Sequence, residues 1–448
     1  MATGTAVGAA DSAYRVRQHL FVASCIALIA TAMTFAIRAD IMGALEGQFA
    51  LDKTQLGWIA GAAFWGFALS IVIGGPLCDA LGMGRLLFLA FLCHAGGVAL
   101  TIWAPGFALL FTGTLALGLG NGLVEAVINP LVATVYPDAK TAKLNALHAW
   151  FPGGIVIGGL VAFALSKAAP ALHLGPATLW QVKMATIWVP TLIYGLLFIG
   201  RKFPKTERVA SGVPTSHMFR EALRPLFIVW IFSMLLTAST ELVPNQWIPN
   251  ILTSAIPGIA AASILVLVWI NGVMAVGRMF AGPIVHKLSP TGLLIGSACF
   301  SLVGLLWLSF VHSSAVAFAA ATVFAVGICY FWPTMLGVTS ERFPKGGALL
   351  LGMMGAAGNL SVAIGQPIAG KIQDQYIAQA MGGAVPATGA TPAAMAFGGA
   401  MALRYITILP LLLIVIFTII YLRDRARGGY KIVKLGQEEE PAEVPIEL

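Results

Sequence analysis

The chain has 448 residues, 58% of them hydrophobic and only 10% charged, with a mean hydropathy of +0.89; soluble domains carry roughly 25% charged residues, so an ordinary soluble globule is excluded. The formal net charge of +8 would permit a nucleic-acid partner, but the basic residues fall on one class of loop rather than in one patch, and no nucleic-acid role is expected. Cys25, Cys78, Cys93, Cys299 and Cys329 are scattered through apolar runs without short paired spacing, so neither a disulfide framework nor a metal site follows, and no cofactor is expected.

Twelve apolar runs, each able to cross a hydrocarbon core of roughly 30 Å, follow one another at about 19–43, 55–78, 86–104, 107–136, 144–167, 179–200, 223–247, 258–285, 290–311, 314–340, 347–370 and 398–422. They lack the alternation of barrel strands, and lipid leaves no backbone group unpaired, so the predicted fold is an all-α bundle of twelve transmembrane helices. The first run is long, follows a polar stretch and contains Arg38 and Asp40, which marks a retained helix rather than a cleaved signal. The expected organisation is a segment 1–18, six helices over 19–200, a basic linker 201–222, six helices over 223–422 and a tail 423–448. Arg15, Arg17, Arg85, Lys140, Lys143, Arg201, Lys202, Lys205, Arg208, Arg220, Arg224, Lys287, Arg342, Lys345 and the cluster from Arg423 lie on one side, against little more than Lys53 and Lys167 on the other. That asymmetry predicts a multi-pass protein of the cell inner membrane with both termini cytoplasmic, and a monomer in the lipid bilayer is expected.

An ionisable group within a span costs about 2.5–3.5 kcal/mol on insertion scales, so each one is a functional hypothesis. On helix one, Thr31, Thr34 and Arg38 share a face, which suggests that this side lines something wet. Arg38 is expected to snorkel or to find a partner, and Asp40 stands two positions on. On helix four, GLGNGLVEAVINPLVATVYP (118–137) sets Asn121, Glu125 and Asn129 four apart on one stripe. Pro130 leaves the Ala126 carbonyl without its helical partner, close to Glu125. His148 follows Asn145 by three at the start of helix five, while Lys183 and Arg404 lie within reach of the outer surface and are expected to snorkel.

Helix seven repeats the stripe as Thr237, Glu241 and Asn245; helix eight carries Asn271 and Arg278 on one face, and helix eleven Asn359, Gln366 and Gln373. Interhelical hydrogen bonds average only about 0.6 kcal/mol and suffice for single amides. A buried carboxylate without a partner takes up a proton instead, which suits a proton-coupled carrier. Trp247 reads either as an aromatic surface beside the polar stripe or, near an outer helix end, as an interfacial anchor.

The amides, carboxylates and aromatic rings suit a monosaccharide better than a large apolar drug. Asn121, Glu125, Asn129, Asn145, His148, Glu241, Asn359 and Gln366 are the expected substrate residues, and Arg278 is expected to close the cytoplasmic side. The alternative is an organic-anion carrier in which Arg38 and Arg278 hold a carboxylate. No nucleophile with a paired base appears, so no enzyme is expected.

The loop Arg201–Arg224 divides six helices from six, and self-similarity crosses it. Gly75-Pro76-Leu77 is answered by Gly282-Pro283-Ile284, Pro137 by Pro344 and Gly158 by Gly365, all at an offset of 207. Two parallel six-helix halves with a site between them at midplane resemble the plan of the major facilitator superfamily. The stretch GGPLCDALGMGR (74–85) is similar to that family's loop motif through Gly75, Leu77, Asp79, Gly82 and Arg85, with Ala80 and Met83 where basic residues are usual. The resemblance implies a conformational, gating role for Asp79 and Arg85.

Over helices four and five, GLGNGLVEAVINPLVATVYP and KTAKLNALHAWFPGG (140–154) resemble the fucose, galactose and glucose proton symporters. That likeness implies a helix-four carboxylate at the sugar site, Glu125 ahead of Asn129 and Pro130, and a proton carrier at Asp40, which precedes Ile41. His148 and Phe151 stand where the fucose-transporting members carry glutamine and asparagine, which argues against fucose itself. The expected activity is import of a monosaccharide with a proton or sodium ion, Asp40, Glu125 and Glu241 being the coupling candidates.

Overall fold

The computed structural model describes residues 2–136, 140–204, 220–259, 262–279, 288–343, 346–383 and 389–431. Among these the regular structure is entirely helical. Eleven helices are long and apolar enough to cross a membrane: α1 (Arg15–Phe49), α2 (Lys53–Gly75), α3 (Met83–Ile102), α4 (Phe107–Val132), α5 (Ala146–Ala168), α6 (Pro176–Phe198), α7 (Pro225–Ala255), α9 (Pro290–Leu308), α10 (Ser314–Thr339), α11 (Leu349–Ala380) and α12 (Pro392–Ala426). The shorter apolar helix Ser263–Arg278 is α8 and completes twelve spans. An even number of spans leaves both termini on one membrane face, the terminal face; the loops after α1, α3 and α5 mark the far face.

Local sequence explains where the helices start. Asp52 accepts the Gln55 amide at 2.6 Å while the Gln55 side chain accepts the Asp52 amide at 3.0 Å, a reciprocal cap for α2. Ser289, Ser313 and Thr391 cap α9, α10 and α12 through their hydroxyls, and proline stands in the first turn of α6, α7, α9 and α12. The run predicted as one helix over 314–340 breaks between Ile328 and Phe331. α1 runs beyond its predicted end to Phe49. Part of the predicted eighth run, most of the linker (205–219) and the tail from 432 lie outside the described residues.

The halves share one packing scheme. α1 packs on α5 and α6, α2 on α4, and α3 on α4 and α6; adding six to each label reproduces α7 on α11 and α12, α8 on α10, and α9 on α10 and α12. The offset of 207 is visible in contacts. A Cβ on Gly158 would lie 3.0 Å from Ala36 Cβ, and one on Gly365 would lie 2.8 Å from Val243 Cγ2, and 36 and 243 differ by that same interval. The remaining repeat positions 137, 282–284 and 344 lie outside the described residues. Small residues set the closest approaches. A Cβ at Gly118 or Gly122 would lie 2.1 Å from the Ala63 carbonyl oxygen or the Ser70 hydroxyl, so α2 and α4 meet nearly backbone to backbone.

Between the halves, α2 packs on α11, α5 on α8, and α1 on α7. Toward the far face these contacts form a seal. Lys53 pairs with Glu46 at 2.6 Å and donates to Asn250 at 2.9 Å. The Asp374 carboxylate, from α11, accepts the amides of Lys53 and Thr54 at 2.9 and 2.8 Å and the Thr54 hydroxyl at 2.5 Å. Lys53, predicted as an outer loop charge, is therefore buried at the junction of the halves.

Candidate functional site

The α1 face bearing Thr31, Thr34 and Arg38 points inward, and all three side chains are buried. Arg38 is 4% exposed. Its Nε donates to Gln246 Oε1 on α7 at 3.0 Å, and its guanidinium carbon lies 4.9 Å from the Phe35 ring centre and 5.7 Å from that of Phe64. Those rings offer the cation their electron-rich surfaces. Nη1 and Nη2 have no hydrogen-bond partner among the described residues. Arg38 thus neither snorkels nor meets a carboxylate among the described residues.

Asp40 faces another way and accepts Lys183 Nζ at 2.5 Å. The snorkelling predicted for Lys183 is corrected: the residue is 6% exposed and ends on a carboxylate, because turning inward neutralises two charges that lipid would otherwise surround. Arg404 lies over the Phe310 ring, its guanidinium carbon 4.2 Å from the centroid, and donates to Ser309. Of the two readings of Trp247, burial favours a ring within the bundle over an interfacial anchor, the residue being 1% exposed.

The stripe on α4 divides. Asn121 is fully buried; its Nδ2 donates to Thr34 Oγ1 at 3.1 Å and its Oδ1 accepts from His94 Nε2 at 2.8 Å. Placed between α1 and α3, it ties helices together rather than lining a binding space, which corrects its predicted substrate role. Successive positions four apart drift about 40° around a helix, and that rotation separates Asn121 from its neighbours. Glu125 and Asn129 are half-buried, and His148 donates from Nε2 to Asn129 Oδ1 at 2.9 Å. No cation pairs with Glu125 among the described residues. The side chains of Asn145 and Asp79 lie outside the description, and Arg85 is exposed.

In the second half, Glu241 on α7 accepts from Arg278 Nη2 at 3.3 Å, leaving Oε2 without a partner among the described residues. Arg278 also donates from Nε to the Cys329 carbonyl at 3.0 Å, a group exposed by the break in α10. Asn245 Oδ1 and Gln366 Oε1 are buried and unpartnered among the described residues, while Gln366 Nε2 reaches the Leu242 carbonyl at 3.5 Å. Asn359 and Asn271 turn back to their own helices, donating to the Gly355 and Leu267 carbonyls. Sequence reasoning missed His94, which sits alone in an apolar run, and the far-face group Glu46, Lys53, Asn250 and Asp374, whose members are far apart in the chain. Among the described residues no three His, Cys, Asp or Glu side chains gather where they could hold a metal ion.

Among the described residues the arrangement brings a guanidinium with two unpartnered nitrogens, a carboxylate with one unpartnered oxygen and two unpartnered amide oxygens to the junction of two halves sealed on the far face. The groups that stay partly exposed, Glu125, Asn129, His148 and Arg278, lie beyond that seal. Such a site can hold a small polar solute and release it toward one face.

Comparison with known proteins places this architecture. Residues 20–366 match the Major Facilitator Superfamily. Relatives include the hexuronate transporter of Bacillus subtilis, 25% identical over 74% of this chain and 82% of its own length. The 3-(3-hydroxy-phenyl)propionate transporter of Escherichia coli is 25% identical over 74% and 80%, and the cis,cis-muconate transport protein of Acinetobacter baylyi 22% over 75% and 84%. Among solved structures, a bacterial homologue of the human lysosomal transporter Spinster superposes with a TM-score of 0.75 at 15% identity, covering 90% of this chain and 96% of that one. The D-xylose-proton symporter gives 0.72 at 13% identity over 89% and 96%, and the Escherichia coli fucose:proton symporter 0.54 at 17% over 88% and 98%. These likenesses speak for the fold. The chain belongs to the Major Facilitator Superfamily and is a multi-pass membrane transporter.

Proposed function

We propose that the protein carries a small hydroxylated carboxylate, of the sugar-acid kind, across the membrane by alternating access, and that Arg38 holds the carboxylate. The observation that carries this reading is the Arg38 guanidinium, buried at the junction of the halves with both terminal nitrogens unpartnered among the described residues. A buried cation without a counter-charge is costly, and a carboxylate from a ligand would satisfy both nitrogens at once through parallel hydrogen bonds. Lys183 and Arg278 are not equivalent, since Asp40 and Glu241 already engage them. The buried acceptors Asn245 Oδ1, Gln366 Oε1 and Glu241 Oε2 lack donors among the described residues, and substrate hydroxyls would supply them. The names of three relatives, hexuronate, phenylpropionate and muconate carriers, all denote carboxylates.

With Asp40 bound closely to Lys183, cation coupling falls first to Glu125 and then to Glu241, which Arg278 holds at 3.3 Å through one oxygen only; their protonation would accompany a rocking of the halves. By the placement of its basic loops the protein sits with both termini in the cytoplasm, so the far-face seal makes this state inward-facing. A second reading, symport of a neutral monosaccharide, is favoured by the half-buried group of Glu125, Asn129 and His148, whose amide and carboxylate oxygens suit hydroxyls.

Uptake of labelled glucuronate, galacturonate, glucose and galactose into proteoliposomes, with imposed proton or sodium gradients, separates the two. Uptake confined to the uronates and strongly reduced by Arg38→Gln is the expected result. Uptake of the neutral sugars, unaffected by Arg38→Gln but lost in Glu125→Gln, would establish the monosaccharide reading instead.

A further inference from the structure

Four helices of the first half meet at one buried chain of hydrogen bonds. Tyr194 on α6 lies 3.0 Å from His94 Nδ1, His94 Nε2 lies 2.8 Å from Asn121 Oδ1, and Asn121 Nδ2 donates to Thr34 Oγ1 at 3.1 Å. Thr34 in turn donates to the Thr31 carbonyl at 2.7 Å. That last bond sets the direction of the rest. With the Thr34 hydroxyl hydrogen engaged by Thr31, the threonine oxygen can only accept from the Asn121 amide nitrogen, so the amide oxygen faces His94. Nε2 must then carry the ring proton and Nδ1 accepts from the Tyr194 hydroxyl. Tyr194, His94 and Asn121 are 0% exposed. Gly120 makes the approach possible, because a Cβ there would lie 2.4 Å from His94 Cδ2.

Two adjoining links of the chain, Asn121 and Thr34, each lie one helical turn from a residue of the transport site. Thr34 precedes Arg38 by four residues on α1, and Asn121 precedes Glu125 by four on α4, so fixing Thr34 against Asn121 fixes the height of the guanidinium relative to the carboxylate. We propose that His94 is a positioning residue of this transporter, holding α1 and α4 in register through Asn121 and Thr34 and thereby setting the separation of Arg38 from Glu125. All members belong to one half, so the register is kept as that half rocks. The inference rests on the carboxylate reading of Arg38 and adds the residue that places it.

The test compares wild type, His94→Leu, His94→Gln, Thr34→Val and the His94→Leu/Thr34→Val pair in proteoliposomes, with labelled glucuronate and galacturonate as probes and Arg38→Gln alongside. Expected is a rise of about tenfold or more in KM for His94→Leu with less than a twofold change in Vmax, and recovery in His94→Gln, whose side-chain amide can still donate to Asn121. Thr34→Val should raise KM similarly, with the double variant no worse than either single one, as links of one chain require. An unchanged KM in His94→Leu, with only a lowered melting temperature in detergent, overturns the proposal and leaves His94 a packing residue; so do multiplicative KM effects in the double variant. If Arg38→Gln transports both uronates like wild type, or wild type transports neither, the carboxylate reading fails instead. The melting temperatures then decide the register claim: non-additive shifts for the His94 and Thr34 pair support it, additive shifts overturn it.

Discussion

Asp374→Ala is expected to open the far face. The carboxylate caps a helix of the other half: the first amides of α2 belong to Lys53 and Thr54, and both donate to Asp374 at 2.9 and 2.8 Å, with the Thr54 hydroxyl at 2.5 Å. Helix starts leave four amides without internal partners, and here the next, Gln55, is held by Asp52 within the same half. Opening the far face must part α2 from α11 and break all three bonds to Asp374. Caps are worth about 1 kcal/mol and hydrogen bonds to a charged group about 1.5–3 kcal/mol. Water replaces part of this in the open state, so a bias of roughly 2–3 kcal/mol toward closure is reasonable, which is about 30- to 140-fold in population.

The assay is the alkylation rate of Met42→Cys, a buried position on α1 near that face, by a membrane-impermeant maleimide added at the far face, with the five native cysteines replaced. Asp374→Ala should raise the rate by at least about tenfold. Asp52→Ala, which removes a cap without touching the other half, should leave it unchanged. Equal rates in wild type and Asp374→Ala, or equal acceleration by Asp52→Ala, would refute the assignment of this carboxylate as an inter-half latch.

Lys183→Met should lower stability by about 3–5 kcal/mol by leaving Asp40 buried and unpaired, and Asp40→Leu/Lys183→Met should recover most of it; thermal unfolding in detergent reads both, and a single variant as stable as the double would contradict the pairing. Gly118→Ala should cost about 1–3 kcal/mol through overpacking, since its Cβ would meet the Ala63 carbonyl at 2.1 Å, whereas Gly272→Ala, with nothing within 4 Å, should be neutral or stabilising in the same measurement. For the transport site, Arg38→Gln should reduce uronate Vmax/KM by roughly 30-fold or more, the 2–5 kcal/mol of a truncated buried charge pair. Arg38→Lys should recover only part of it, because an ammonium cannot reproduce the guanidinium's paired donors; full activity in Arg38→Lys would show that charge alone suffices.

The number and kind of spans were legible in the chain because a membrane helix satisfies its backbone hydrogen bonds locally and declares itself by an apolar run. Duplication was legible for a related reason: the close approach of Gly158 to α1 recurs as that of Gly365 to α7, and a steric requirement of that kind leaves the same residue at the same interval. The sequence also marked which ionisable groups lie within spans. It could not say what they face. Arg38 and Asp40 stand two apart, yet one meets Gln246 and the other Lys183, partners brought together only by the rotation of α7 and α6 about their axes. Asn121, Glu125 and Asn129 share a spacing, but the drift of that spacing around the helix hands Asn121 to His94 and leaves the other two half-exposed. Periodicity along one helix determines a face; which neighbour that face meets, and hence whether a polar side chain braces the bundle, seals it or remains free for a ligand, is decided by contacts between helices distant in the chain.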